Sequence, residues 1–223
     1  MRRAPKRAAY DRATIDAILD EAPICHLGFA DDAGQPYVIP TLHARRGDEL
    51  LLHGSTASRA FRTLASGAPV CVTTTLVDGM VLARSAFHHS MNYRSVVLLG
   101  SARPVEGDAA KTAALEAFTE KLIPGRWPHV RRPTRQELKG TMVLAMPIDE
   151  ASAKVRAGGP VDDEEDYALD VWAGVVPLSL TAGAPIPDSD GAIPEHVQTY
   201  TAAHAAGPGD VRGGGADGMR VDR

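Results

Sequence analysis

Along residues 70–76 the side chains alternate, with Val70, Val72, Thr74 and Leu76 on one side of the chain and Cys71, Thr73 and Thr75 on the other. A repeat of two is the period of a β-strand whose faces see different surroundings, and it cannot line up one face of a helix. Asp78 and Gly79 follow, then residues 80–84, of which Met80 to Ala83 are apolar, so the spacing predicts a hairpin that turns at Asp78-Gly79 into 80–84. The rest of the chain has to fold around that pair of strands.

The residues upstream repeat the theme. Residues 23–30, 37–44 and 49–53 are apolar runs of strand length, separated by the Asp/Gly-bearing segments 31–36 and 45–48, which predicts a β-meander. Downstream, 93–104 reads as a long strand centred on Val96-Val97-Leu98-Leu99, and 141–147 and 151–156 read as two shorter ones. Helical spacing occurs in three places. Ile15, Ile18 and Leu19 recur behind Asp11, a residue suited to capping a helix start, and Pro23 ends the run. Ala57, Phe61 and Leu64 share a face over 55–65, with Arg59 and Arg62 beside them. Leu115, Phe118 and Leu122 form the expected buried stripe of a helix over 108–123. Six to eight strands at hairpin spacing, few helices and no βαβ rhythm predict a mainly β protein with flanking helices, a closed or nearly closed antiparallel barrel.

Charge narrows the partners. Lys+Arg number 24 against Asp+Glu 28, a net of −4, which argues against a basic face for nucleic acid and a polybasic stretch for anionic lipid. An anionic ligand therefore needs a local cluster of cations. Cys25 and Cys71 stand far apart with no Cys-x-x-Cys spacing, so they read as two small core residues of a reducing compartment. The basic start MRRAPKRAAYDR leads into no apolar segment, and no window approaches the ~18 apolar residues of a membrane span. The expectation is a cytoplasmic protein without membrane or nucleic-acid partners. From Ala182 onward Gly and Pro fill twelve of forty-two positions, which predicts a tail that is mobile or laid over a partner subunit. The expected organisation is a basic arm at 1–10, one domain at 11–181 and the tail at 182–223.

Several chemistries lack their sequence signatures. No Gly-x-x-x-x-Gly-Lys-Ser/Thr loop and no Gly-x-Gly-x-x-Gly between strand and helix is present, and the glycines at 213–215 lie in the tail. No Gly-x-Ser-x-Gly elbow supports a serine hydrolase. The eight histidines show no metal-binding spacing, His88 and His89 being adjacent, so no metal is expected. The informative segment runs from His53 through Ser58, Arg59 and Arg62. There a strand ends and a helix begins, and free N–H groups beside a planar guanidinium can hold phosphate oxygens. A second polar segment, Ser90-Met91-Asn92-Tyr93-Arg94-Ser95, leads into an apolar strand. A third holds Arg156 and Pro160, then the acid run 162–166, read as a solvated loop, then Trp172-Ala173-Gly174-Val175-Val176-Pro177-Leu178.

Taken in order, the meander, the His-Gly-x-x-x-Ser-Arg helix start, His-Ser-Met-Asn-Tyr-Arg-Ser-Val and Trp-Ala-Gly-Val-Val-Pro-Leu resemble the pyridoxamine 5′-phosphate oxidase-like flavoproteins. The likeness runs from Asp11 to Leu178 and is closest to the flavin-nucleotide-binding, nitroimidazole-resistance-like branch. It implies a six-stranded split β-barrel, a homodimer, and FMN in clefts between the subunits. It also implies that Ser58 and Arg59 bind the FMN phosphate with Arg62 as helper. Val38, Ile39, Pro40 and Thr41 would run past the isoalloxazine ring. His53 would sit near ring or phosphate, Asn92, Arg94 and Ser95 would approach from the partner or an adjacent strand, and Trp172 would wall the site. The activity implied is FMN-dependent oxidoreduction, with hydride passing through flavin N5 from NAD(P)H or an organic donor to a small acceptor or oxygen. His53 is the first choice of acid–base group, ahead of His43 and Tyr93. The Arg-x-x-Leu-Leu-Lys segment of the vitamin B6 oxidases is replaced here by Val-Ile-Pro-Thr-Leu-His, and Arg156 with Pro160 only distantly echoes their Arg-Leu-x-Pro, which argues against pyridoxine phosphate as substrate. A non-catalytic flavin or haem carrier and a reductase using the deazaflavin F420 are the alternatives.

Overall fold

The computed structural model describes residues 8–205. Contacts divide the chain into one unit that ends at Leu178 and another that begins at Ser179. The first is mainly β, with two antiparallel sheets and helices at their edges. After β1 (Ala8–Ala9), α1 (Arg12–Glu21) begins as its sequence predicts: the Asp11 carboxylate accepts the Thr14 amide at 2.8 Å. Ile15, Ile18 and Leu19 are its buried face.

The chain then lays down β2 (Cys25–Ala30) and β3 (Pro36–Thr41) in a seven-stranded sheet, and β4 (His43–Arg46) and β5 (Glu49–Ser55) in a four-stranded one. The expected meander is thus divided between two sheets, and the single strand expected over 37–44 breaks at Leu42. A strand that bends from one sheet into the next forms a corner of a barrel. Gly47 closes the β4–β5 turn at φ +58°, a conformation that favours glycine. Next, α2 (Arg59–Ala65) buries Ala60, Phe61 and Leu64 behind its Ser58 cap, while Ala57 precedes the helix and is exposed.

The hairpin expected at Asp78-Gly79 is not there. β6 (Pro69–Leu82) runs straight through that dipeptide, and the register against β7 (Ser90–Ser101) slips between Val77 and Gly79. Asp78 is the extra residue of a β-bulge, so Asp-Gly here bends a strand instead of reversing it. Past Ala102, a second corner, β8 (Arg103–Pro104) joins the other sheet. Then come α3 (Asp108–Leu122), α4 (Arg135–Gly140), β9 (Thr141–Pro147), β10 (Glu150–Arg156) and β11 (Gly174–Pro177). The large sheet has the order β1-β10-β7-β6-β2-β3, with β11 also on β6, and the small one β4-β5-β9-β8.

Alternation assigns the two cores. Leu50, Leu52, Leu144 and Met146 face the barrel interior with Leu27, Val72, Val96 and Leu98, while Leu51, Val143 and Ala145 face α3. On α3, Ala114 and Phe118 are buried and Leu115 partly so, but Leu122, expected in the buried stripe, is 56% exposed as the last residue of the helix. Cys25 lies in the core, and Cys71 lies half-buried on the outer face of the large sheet; both are free thiols. The second unit holds α5 (Glu195–His204), a helix inside the stretch whose Gly/Pro content predicts none. The break-rich segments flank it, and ten residues without Gly or Pro are long enough to turn. The rest of the expected mobile tail, from residue 206, and most of the basic arm lie outside the described residues. No described helix is long and apolar enough to cross a membrane.

Candidate functional site

The link from β5 to α2 is held at both ends. Thr56 N donates to Gly140 O at 3.0 Å, Ser58 N to Ser55 O at 3.0 Å, and the Ser58 hydroxyl accepts the Phe61 amide at 3.5 Å. Gly54 lies so close under Phe61 that a Cβ there would stand 2.6 Å from the ring. Arg59, the first residue of α2, is exposed, and its guanidinium carbon lies 4.6 Å over the Tyr37 ring. Tyr37 stacks on Phe29 at 5.4 Å and donates its hydroxyl to Asp31 at 3.1 Å. The Gln35 amide, with the Tyr37 hydroxyl and the Arg59 charge adding to it, holds the Asp31 carboxyl below its usual range. Among the described residues Arg59 makes no ion pair with a carboxylate.

Tyr37 belongs to β3, the edge of the large sheet, and Val38, Ile39, Pro40 and Thr41 continue along it. Proline has no N–H to give to a ladder, so Pro36 and Pro40 keep their nitrogens on the unpaired side. Val38 has the same parity and therefore turns its own N–H and C=O to the open edge, one donor and one acceptor between two prolines. Its side chain is 69% exposed.

His53 points from β5 towards α3, with its ring 4.3 Å from that of Phe118. Its Nδ1 is buried with no hydrogen-bond partner among the described residues, and burial lowers its pKa, so the ring is neutral at pH 7. His43 is fully buried and donates from Nε2 to Leu19 O at 2.8 Å. Burial, with the Lys121 charge, pushes its pKa down to about 4.

The β7 residues are occupied within the chain. Asn92 donates to Gly158 O at 3.1 Å and accepts from Arg156, and the Ser95 hydroxyl donates to Lys154 O at 3.4 Å. Arg94 is clasped on two sides: Nε and Nη2 bond Asp78 at 3.0 and 2.7 Å, while both terminal nitrogens bond Glu21. Those carboxylates raise its pKa still further. The bulge that replaced the hairpin is what brings Asp78 to it. Arg94, expected to approach the flavin from the partner or an adjacent strand, is held by carboxylates of its own chain and stands apart from Arg59 and Arg62 within that chain. β7 and β3 are separated by β6 and β2, three spacings or about 14 Å, and Arg62 is exposed in the last turn of α2.

The acid run is not simply a solvated loop. The Asp162 side chain is buried and accepts the Arg84 amide and guanidinium, each at 3.0 Å. Burial alone would raise its pKa, and the bonds from Arg84 outweigh it, so the carboxyl stays lowered. Asp163 meets His88 at 3.2 Å, and the Tyr167 ring lies 4.9 Å under Arg84. His88, Asp163 and Asp166 bring ligand-type atoms within 4.8 Å of one another, a grouping that their sequence spacing does not show. Trp172 is 67% exposed and covers Gly174, where a Cβ would stand 2.9 Å from the indole. Tyr37 and Arg84 were not singled out from sequence, Asp78 reads there only as a turn residue and Arg156 only as a distant echo of a substrate motif. Of the first two only Tyr37 carried a signal, since closing the 31–36 turn sets it opposite Phe29.

The family model described as pyridoxamine 5′-phosphate oxidase matches residues 11–155. The chain belongs to the pyridoxamine 5′-phosphate oxidase family. The match takes in every residue singled out above for a flavin except Trp172. Two solved structures are similar over nearly their whole length. The flavocytochrome Anf3 of Azotobacter vinelandii is 42% identical, with 90% of this chain and 94% of that one covered and a TM-score of 0.84. The FAD and haem binding protein of Mycobacterium smegmatis is 41% identical, with 87% and 97% covered and a TM-score of 0.83. A protein from Bacteroides thetaiotaomicron, described as a candidate 5-nitroimidazole antibiotic resistance protein, is 24% identical over 66% of this chain and 86% of that one, at a TM-score of 0.57, and shares the fold. Comparison with curated proteins gives no match.

Proposed function

We propose that this member of the pyridoxamine 5′-phosphate oxidase family is a homodimeric redox protein that binds a flavin nucleotide and haem. The observation that carries the reading is the 42% identity to a flavocytochrome across 90% of the chain. A relative 41% identical binds FAD and haem, which favours FAD over FMN. Both flavins place the same demands on the protein, a held phosphate and an oriented ring.

The residues fit those demands. Arg59, at the start of α2, is a cation with no carboxylate bound to it, so its fork is available for phosphate oxygens. Val38 supports the ring reading: its edge N–H and C=O match the alternating acceptors and donor of a flavin's pyrimidine edge. His53, neutral at pH 7, offers a hydrogen bond and not a charge. A bound flavin supplies hydride or electron transfer, with NAD(P)H the proposed donor and a small molecule or oxygen the acceptor. Chain residues supply binding, orientation and exclusion of water.

The outer face of the large sheet supports the dimer. Val77, Met80, Met91, Val97, Leu99 and Val176 share that face and are each 37–49% exposed. Contiguous apolar surface of this kind marks an interface, and a stable one needs about 800 Å² from each partner. A second chain on this face would also bring β7, with Ser95 on the same side as Val97 and Leu99, towards the other chain's flavin.

The test is direct. The purified chain should carry or acquire a flavin band, release FAD on denaturation, show a Soret band with added hemin, and run as a dimer by light scattering. Anaerobic NAD(P)H should bleach the flavin. A chain that takes up no flavin overturns the reading, FMN in the released fraction overturns the FAD choice, and a flavin that stays oxidised with both nucleotides overturns the donor.

A further inference from the structure

Resting on the haem part of that reading, we infer that His89 is an axial ligand of the haem iron. Haem needs an imidazole with a free nitrogen lone pair, and ligating histidines almost always give their other ring N–H to a carbonyl or carboxylate, which fixes the tautomer and aims the lone pair. His89 has this arrangement. Its Nδ1 lies 2.9 Å from the carbonyl oxygen of Ser85. A carbonyl can only accept, so the proton sits on Nδ1 and the lone pair on Nε2. The residue is exposed, and no described group takes that nitrogen.

The turn that carries it is held firmly. Arg84 is anchored through backbone and side chain to buried Asp162, the His88 amide donates to Ser85 O at 3.3 Å, and the His88 ring meets Asp163. A ligand on such a turn keeps its orientation before the metal arrives. The same turn offers apolar surface: Phe87 is 89% exposed, the barest aromatic ring among the described residues. A porphyrin face is the kind of surface that such a ring covers.

His43, His88 and His26 lack the combination. His43 has a donated ring nitrogen but is fully buried, so no porphyrin reaches it. The Nε2 of His88 is taken by Asp163, and His26 has no described carbonyl to set its tautomer. His204 shares the pattern, with Nδ1 2.8 Å from Tyr200 O, but Tyr200 stacks on its ring at 4.2 Å. It serves as the control.

The test uses the full chain with its flavin, titrated with hemin and followed at the Soret band. His89→Ala should weaken haem binding at least about tenfold, with flavin content and melting temperature unchanged. Added imidazole should restore the wild-type spectrum in His89→Gly. His89→Met should keep haem with a shifted Soret band and a more positive midpoint potential, as methionine ligation does in cytochromes. His204→Ala should match the wild type. Wild-type haem affinity and spectrum in His89→Ala would overturn the ligand assignment alone. A wild-type chain that holds flavin and takes up no haem would overturn the haem reading and this assignment with it.

Discussion

The C-terminal end of α1 and the N-terminal end of α2 both gather positive charge, and they treat it in opposite ways. At the first, Leu19 O accepts from His43 at 2.8 Å and from Lys121 at 2.7 Å, Asp20 takes Arg45 at 2.9 Å, and Glu21 takes Arg94. Those donors come from α3, β4 and β7, and they meet the partial negative charge of a helix end together with its acidic side chains. At the second, Arg59 has an aromatic ring beneath it and no carboxylate bound. Cations that hold a fold are neutralised inside the chain. A cation left with an open fork is the one available to an anion from outside.

The largest effect expected from this contrast is a loss of stability in acid. His43 is neutral in the fold with a pKa of about 4, against 6.5 when exposed. Below pH 6.5 the unfolded chain therefore takes a proton that the folded chain refuses, so stability is complete above that pH and falls as pH drops towards 4. The loss amounts to about 3 kcal/mol by pH 4, read from denaturant midpoints across the range. His43→Gln keeps a donor for Leu19 O and removes the titration. An unchanged pH slope in that variant would show that the acid sensitivity lies elsewhere.

Arg59→Ala comes next. A charged hydrogen bond to phosphate contributes about 2 kcal/mol, so flavin affinity should fall roughly thirtyfold while the melting temperature holds. Equal flavin occupancy in the variant and the wild type would place the anchor away from α2. Arg94→Ala should do the reverse. It leaves Glu21 and Asp78 facing each other, but Glu21 is 48% exposed and solvent screens the loss, so the cost is about 1–2 kcal/mol, or a few degrees of melting temperature. If Arg94→Ala left the fold untouched and lost flavin, the two arginines would have exchanged roles.

What could be read from the sequence follows the range of the interaction. Asp11 caps α1 through Thr14 and Ser58 caps α2 through Phe61, both three residues away, and local spacing is enough to find them. Arg94 reaches Glu21 across 73 residues and Asp162 reaches Arg84 across 78, so in sequence Arg94 reads as a cation free to approach the flavin and Asp162 as a solvated acid. Strand content was legible from the alternation of residues 70–76, but sheet membership was not. Leu42 and Ala102 carry nothing that says the next strand belongs to the other sheet. Asp78-Gly79 misled for a related reason: the dipeptide suits a turn or a bulge, and pairing with β7 along the whole of β6 decides between them.

The smallest effect concerns the ring beneath Arg59. An exposed cation–π contact is worth about 0.5–1 kcal/mol, and here it orients the guanidinium more than it secures the fold. Tyr37→Leu leaves an apolar residue opposite Phe29 but removes the surface on which Arg59 lies flat, so the fork samples more directions before phosphate arrives. Flavin affinity should fall by a few-fold, mainly through faster release in stopped-flow measurements. Tyr37→Phe keeps the ring and loses only the bond to Asp31, and it should release flavin at close to the wild-type rate. If both variants lose flavin equally, the hydroxyl and Asp31 matter and the ring does not, and the aromatic floor that distinguishes Arg59 from Arg94 would be incidental.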